Sequence, residues 1–296
     1  MFEELIECKI CPNNCKINRT DGKNGVCNAS NKAKIALASL HFFEEPCISG
    51  ENGSGTVFFS NCNMKCKFCQ NYEISQLGKG KEVTIQELAN TFLDLQEKGA
   101  NNINLVTPTI YVYHIIEALK IAKAKGLKIP IVYNSNGYEN VETLKKLEGY
   151  IDVYLPDLKY YYNEIALKYS GVKNYFEYAT KAIQEMYRQV GYPKLNEKGL
   201  IQKGLIIRHL VLPNQIENSK KVLEWIKQNI DERVFISIMA QYFPCHKAKE
   251  IEELNRKLTQ DEYEQIEEFV YKLDIQNGYM QELGEHEEEY VPNFNC

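Results

Sequence analysis

The chain has 296 residues, 44% hydrophobic and 25% charged, with a formal net charge of −5; that length suits one α/β barrel or two small domains of an ordinary globular protein. The acidic balance and the scatter of the 35 basic residues exclude a general electrostatic footprint for nucleic acid. No apolar run reaches the roughly 18 residues of a membrane span, and the start, Met1-Phe2-Glu3-Glu4-Leu5, lacks the basic and apolar regions of a signal peptide, so a cytoplasmic location is expected.

Residues 1–54 hold five of the ten cysteines: Cys8, Cys11, Cys15, Cys27 and Cys47. In an unexported chain, cysteines at this density point to metal ligation or redox chemistry rather than disulfides. The stretch is rich in Asn, Lys and Gly with little periodicity, which predicts a small metal-tethered lobe. Cys8-x-x-Cys11-x-x-x-Cys15, followed by Cys27, supplies four thiols. Four thiolates close a tetrahedral zinc site or hold an iron–sulfur cluster, and the spacing suits either. Such a site would relay electrons or fix a lid. Cys47 is an extra ligand, a radical relay or a small buried hydrophobe.

Residues 55–245 alternate short apolar runs with amphipathic stretches. Strands are predicted at Thr56–Ser60, Ile103–Thr107, Ile129–Asn134, Asp152–Pro156, Leu205–Leu212 and Val234–Ala240. Helices are predicted at Ile85–Lys98, with Thr84 as N-cap and Gly99 at its end, and at Tyr113–Lys125, Val141–Leu147, Phe176–Val190 and Ser219–Ile230. Alternation of this kind predicts a parallel sheet with right-handed crossovers. Periodicity alone leaves an open barrel and a flat doubly wound sheet equally available. Residues 246–296 are expected to form a helical extension. It comprises a charged helical stretch broken near Leu258-Thr259 and a second helix, Asp261–Leu273, which turns Ile266, Phe269, Val270 and Leu273 inward. A solvated or disordered tail is expected around residues 284–289.

Directly after the first of these predicted strands, Cys62, Cys66 and Cys69 stand as Cys-x-x-x-Cys-x-x-Cys. Three thiolates hold three irons of a [4Fe-4S] cluster and leave the fourth iron open for chemistry. Zinc prefers paired Cys-x-x-Cys knuckles, so a gap of three and then two after a strand favours the cluster.

This loop, with Phe68 before its last cysteine and Thr56-Val57-Phe58-Phe59-Ser60 leading in, resembles the radical S-adenosylmethionine (SAM) superfamily. Nearly the whole chain is similar to an uncharacterised branch of that superfamily related to pyruvate formate-lyase activating enzyme. The stretches that carry the likeness are Glu44 to Gly50, Phe58 to Asn71, Asn102 to Thr109, Tyr154 to Tyr160, Arg208 to Pro213 and Met239 to Tyr242. The resemblance implies an α/β fold, a partial (β/α)6 radical-SAM barrel with its site at the C-terminal ends of the strands. It implies a [4Fe-4S] cluster on Cys62, Cys66 and Cys69 whose fourth iron takes the amino and carboxylate groups of SAM. One electron then breaks the sulfonium carbon–sulfur bond, and the resulting 5′-deoxyadenosyl radical abstracts hydrogen.

Further positions carry over by resemblance. Asn134-Ser135-Asn136-Gly137 is similar to the Asp-Thr-Asn-Gly turn that helps bind SAM or a cation, with Asn134 in place of the carboxylate. Asp157-Leu158-Lys159 matches an Asp-x-Lys segment. There Asp157 would accept from SAM or ligate a monovalent cation, and Lys159 would hold a carboxylate. Arg208 corresponds to a SAM-contacting arginine. The Gly-Gly-Glu that binds the SAM amino group in many relatives is missing. Val106-Thr107-Pro108-Thr109 stands there, leaving Thr107 and nearby carbonyls as acceptors. The implied reaction is hydrogen abstraction from a protein or peptide segment, such as the glycine of a glycyl-radical enzyme, fed by an electron donor such as flavodoxin or ferredoxin. Modification of a small molecule, or a non-catalytic electron carrier, are the rival readings. His114 and His209 read as packed side chains, and Tyr160-Tyr161-Tyr162 as rim aromatics.

Overall fold

The alternation of apolar runs and amphipathic stretches becomes a strand–helix ladder in the computed structural model, which describes residues 2–284 and residue 294. Its strands are β1 (Ala33–His41), β2 (Ser54–Phe59), β3 (Lys81–Val83), β4 (Ile103–Val106), β5 (Ile131–Ser135), β6 (Val153–Pro156), β7 (Lys194–Leu195), β8 (Ile201–Leu210), β9 (Phe235–Met239) and β10 (Gly278–Met280). Its α-helices are α1 (Pro46–Ser49), α2 (Tyr72–Ser75), α3 (Ile85–Glu97), α4 (Val112–Ala124), α5 (Val141–Lys145), α6 (Asn163–Ser170), α7 (Tyr175–Val190), α8 (Ile216–Asn229) and α9 (Gln260–Lys272). The six predicted strands are β2, β4, β5, β6, β8 and β9, each pairing in parallel with the next. Their spatial order follows chain order without reversal. A doubly wound sheet reverses its strand order midway, whereas a barrel winds in one direction. The order therefore selects the partial barrel. β10 continues the sheet in parallel beside β9, and β1 and β3 add antiparallel strands beyond β2.

Local chemistry sets the elements. Thr84 accepts from the Glu87 backbone while the Glu87 carboxylate accepts from the Thr84 backbone, a capping box that starts α3. Leu88, Phe92 and Leu95 of α3 are buried against the sheet. In α9, Ile266 is buried, and Phe269, Val270 and Leu273 are half-buried against the core. The expected charged helix at 246–258 does not form. Two short 3-10 turns, His246–Glu250 and Glu252–Leu254, stand there instead, because its apolar residues are too few to give a helix a face to bury. The expected tail at 285–289 lies outside the described residues.

The strand period of two divides inside from outside. Leu105, Tyr133, Tyr154 and Ile207 pack outward under the helices, while Val132, Val153, Leu155 and Ile206 form an inner cluster with Cys47 and Ile48. Ile48 lies on α1, which crosses under the barrel where the strands begin; its carbonyl accepts from Asn102 Nδ2 at 2.8 Å. Cys47 is thus a buried packing residue of this floor. By the same alternation Asn104, Asn134 and Arg208 share strand faces with the inner residues, which places polar groups inside the barrel. Among the described residues, no helix is long and apolar enough to cross a membrane.

Candidate active site

Asn61 leaves β2 in the left-handed conformation, φ 69°, and turns the chain into the cysteine loop. Asparagine tolerates that region better than most residues. The loop is fastened on three sides. Lys65 N donates to Ser170 O at 3.0 Å and Lys67 N to Tyr169 O at 2.8 Å, which ties it to the end of α6. Asn63 Nδ2 donates to Tyr138 O, and Asn136 Nδ2 to Asn63 Oδ1, which ties it to the turn after β5. Cys245 Sγ donates to Phe68 O at 3.3 Å from the C-terminal region.

Hydrogen-bond donors face the sulfurs. Cys62 Sγ accepts from Met64 N and from Asn136 Nδ2, both at 3.4 Å. Ser170 Oγ donates to Cys66 Sγ at 3.0 Å, and Ser75 Oγ lies 3.2 Å from Cys69 Sγ. Burial pushes the free thiols of Cys62 and Cys69 up to about 12 and raises Cys66 as well. Three sulfurs each met by a polar hydrogen fit thiolate ligands of an iron–sulfur cluster, since such contacts stabilise the charged form and tune the cluster. Ser75 and Ser170 escape a motif reading because each acts from another element.

Cys62, Cys66 and Cys69 line one cavity of about 510 Å³ together with Thr107, Asn134, Ser135, Asp157, Lys159 and Arg208. Five positions carried over by resemblance, and Thr107 where the chain departs from it, thus meet the three cysteines in one chamber. Thr107, at the end of β4, has φ 59°, a strained conformation for a β-branched residue. Its N–H donates to Asn134 O at 3.0 Å. The ionic wall runs inward from Lys159. Lys159 Nζ donates to Asp157 Oδ2, Arg208 Nε to Asp157 Oδ1 at 3.3 Å, and Arg208 Nη1 to Glu44 Oε2 at 2.9 Å. Burial alone would raise the Asp157 carboxyl, but the two cations outweigh it and hold the group below its ordinary value. The carboxylates in turn raise Arg208 and Lys159 against the opposing effect of burial. Glu44 and Glu45 enter from the segment leading into α1. Sequence reasoning placed them only inside a similar stretch and assigned them no role.

Other predicted features take structural places. His209 is buried with Nδ1 2.7 Å from Leu158 O and Nε2 2.9 Å from Ser219 Oγ. His114 Nε2 lies 2.8 Å from Asn31 O. Tyr160 is buried with its hydroxyl on Ser170, and Tyr161 packs on Phe176. Among the four N-terminal thiols, Cys8, Cys11 and Cys27 are buried and Cys15 is half-buried. Burial raises the Cys11 and Cys27 thiols, and the neighbouring cysteines, Cys27 and Cys8 for the first and Cys8 and Cys15 for the second, act in the same direction. A Cβ on Gly25 would stand 2.9 Å from Cys15 Sγ. Asn13 Nδ2 donates to Asn63 O at 2.7 Å, which docks this segment on the cysteine loop. Among the described residues, no three His, Cys, Asp or Glu side chains form a ready-made single-ion site.

The structure is a parallel partial barrel of the α/β class with three thiols lining a charged inner chamber. The description "Radical SAM superfamily" matches residues 56–226, more than half of the chain. The chain is 34% identical to uncharacterized protein MJ0674 of Methanocaldococcus jannaschii over 280 residues, covering 90% of this chain and 76% of the relative. It is 24% identical to the pyruvate formate-lyase-activating enzyme of Clostridium pasteurianum, covering 65% of this chain and 78% of that one. In fold it is similar to HydG, a maturase of the [FeFe]-hydrogenase, with a TM-score of 0.50, 14% identity and coverage of 78% of this chain and 52% of that chain. The chain thus spans about half the length of that solved structure. The chain belongs to the radical SAM superfamily and is an enzyme. Membership brings a [4Fe-4S] cluster and SAM, and Cys62, Cys66 and Cys69 fit the cluster by number, placement and donor surroundings.

Proposed function

We propose that the enzyme cleaves SAM reductively and abstracts hydrogen from a protein or peptide segment, as an activating enzyme does. The observation that carries this reading is the convergence of Cys62, Cys66 and Cys69 with Asp157, Lys159 and Arg208 on one cavity. The 24% identity to an activating enzyme supports the substrate class. When bound, the cluster and SAM supply the one-electron reduction and the hydrogen-abstracting nucleoside. The protein's part is placement. Cys62, Cys66 and Cys69 hold the cluster, and Asn136, Ser75 and Ser170 orient their sulfurs. Lys159 and Arg208 hold carboxylate charge, Asp157 orients both cations, and Thr107, Asn134 and Ser135 offer acceptors near the strand ends. The enclosing barrel keeps water from the reacting group. A flavodoxin or ferredoxin serves as electron donor, in the cytoplasm.

Anaerobic reconstitution, iron and sulfide analysis, and a 5′-deoxyadenosine assay with reductant and SAM test this reading. We expect about four irons and sulfides at this site, nucleoside release, and loss of both in Cys62→Ala. Zinc alone, or a cluster that yields no 5′-deoxyadenosine, overturns it. A glycyl-type radical signal that needs a partner protein identifies the activating reaction. The buried ionic inner wall favours, as a second reading, a small molecule or a single inserted side chain, and turnover without any partner chain would select it. The four thiols of Cys8, Cys11, Cys15 and Cys27 form a second metal site in this proposal, holding zinc or a second cluster. Iron near four per chain in a variant lacking Cys62, Cys66 and Cys69 selects the cluster; zinc without iron selects zinc.

A further inference from the structure

We propose that the inner end of the cavity is a subsite for a protonated amine of the substrate, an ammonium or guanidinium group received by Glu44 and Glu45, with the buried Asn104 holding Glu44 through its amide nitrogen. The inference rests on reading this cavity as the substrate chamber of the radical reaction, and it adds the substrate's charge and donor chemistry. The segment Phe42–Pro46 lines the cavity beside β1 and α1, and brings two adjacent carboxylates against the interior of the barrel.

The hydrogen bonding there is incomplete on the acceptor side. Glu44 Oε2 accepts from Arg208 Nη1 and Glu44 Oε1 from Asn104 Nδ2, both at 2.9 Å. The second bond fixes the Asn104 amide with its nitrogen toward Glu44. Asn104 Oδ1 is then left without a hydrogen bond on a fully buried residue. Glu45 Oε2 has no hydrogen bond either, although Glu45 is 8% exposed and lines the cavity. Buried acceptors without donors are uncommon and unfavourable. Their two neighbours of opposite charge cannot serve both. Arg208 is committed to Asp157 and Glu44 and stands 3.8 Å from Glu45 Oε2, and Lys159 is committed to Asp157.

Charge points the same way. Glu44, Glu45 and Asp157 place three carboxyl groups along this wall against the two cations Lys159 and Arg208; burial and the neighbouring Glu44 raise the Glu45 carboxyl while Arg208 opposes them, so a further positive charge would favour its ionised form. His41 also lines the cavity, and burial together with Arg208 lowers its pKa, so it does not make up the difference. A ligand that brings both positive charge and N–H donors meets both deficits at once, whereas a carboxylate meets neither. Phe43, Phe58 and His41 line the same cavity, a wall suited to an alkyl stem and a cation beside aromatic faces.

The test uses the reconstituted, SAM-loaded holoenzyme and three probes of one length: n-butylammonium, n-butanol and butyrate, with binding read by calorimetry and ligand-observed NMR. We expect n-butylammonium to bind about tenfold or more tighter than n-butanol, with butyrate weakest. Glu45→Gln should weaken n-butylammonium about tenfold while SAM affinity stays within about twofold. Asn104→Leu provides a second, uncharged variant and should weaken the ammonium probe alone. Equal binding of the three probes, or an ammonium affinity unchanged in both variants, overturns the subsite. A tenfold loss of SAM affinity in Glu45→Gln also overturns it, since these acceptors would then serve the cofactor's own ammonium. Iron content and 5′-deoxyadenosine release in the same wild-type preparation report on the radical SAM reading separately.

Discussion

Thr107 and Glu139 show how single residues near the site depart from what is comfortable for their type. At φ 59° the β-branched Thr107 occupies a region that favours glycine, and such strain costs about 1–3 kcal/mol. Thr107→Gly is therefore expected to raise the unfolding free energy by about 1 kcal/mol in urea titration while weakening SAM binding through loss of the hydroxyl. Glu139 is fully buried, with Oε1 accepting from Thr109 Oγ1 at 2.6 Å and Tyr133 OH at 3.3 Å. Burial raises its carboxyl from an ordinary 4.5 to about 7. Between those values the unfolded chain releases this proton and the folded protein keeps it. Stability contributed by the neutral form is thus present in full below pH 4.5 and lost as pH rises to about 7, a change of about 3 kcal/mol. The stability of Glu139→Gln relative to wild type should rise by that amount over the same window, measured by urea unfolding at both pH values.

Elements differ in how locally they are encoded. The helix from Ile85 was legible because its start signal, Thr84 with Glu87, and its buried stripe lie within a few residues of one another. The six parallel strands were legible because their inner and outer faces are both buried, which leaves near-continuous apolar runs. β1 was not legible. Its residues, Ala33 to His41, are poor in β-branched side chains and alternate weakly, and pairing with β2 rather than propensity makes them a strand. The turn after β5 is set by a contact no spacing reveals. Gly137 has φ 75°, and a Cβ there would stand 2.4 Å from Asp157 O. Gly137→Ala is expected to destabilise the fold by about 1–2 kcal/mol. It should also weaken SAM binding more than an exposed alanine substitution does, because the displaced strand end carries Asp157; paired thermal melts and SAM titrations check both.

The whole molecule is organised around a barrel closed at one end by its own N-terminal segment. Ile48 is fully buried among Val132, Val153, Leu155 and Ile206. Ile48→Ala should cost about 2–5 kcal/mol in chemical denaturation. It should also lower the affinity of the chamber for ligand, since Glu44 and Glu45 hang from the same segment. At this scale the family match over residues 56–226 and the cysteine motif agree.

By itself the sequence determined the three-cysteine loop, the six strand–helix units and the family, because each depends on residues close together in the chain. Periodicity left barrel and flat sheet open and the family resemblance implied the barrel, which the strand order bears out; only tertiary structure decided that Asn136 and Ser170 aim hydrogens at sulfur and that Ser75 meets Cys69. It alone brought Glu44 to Arg208 across 164 positions. Side-chain periodicity reports which faces are buried, but not against what; those partners are chosen by long-range strand pairing, and the polar residues that alternation turns into the lumen acquire their chemistry only when the barrel closes around them.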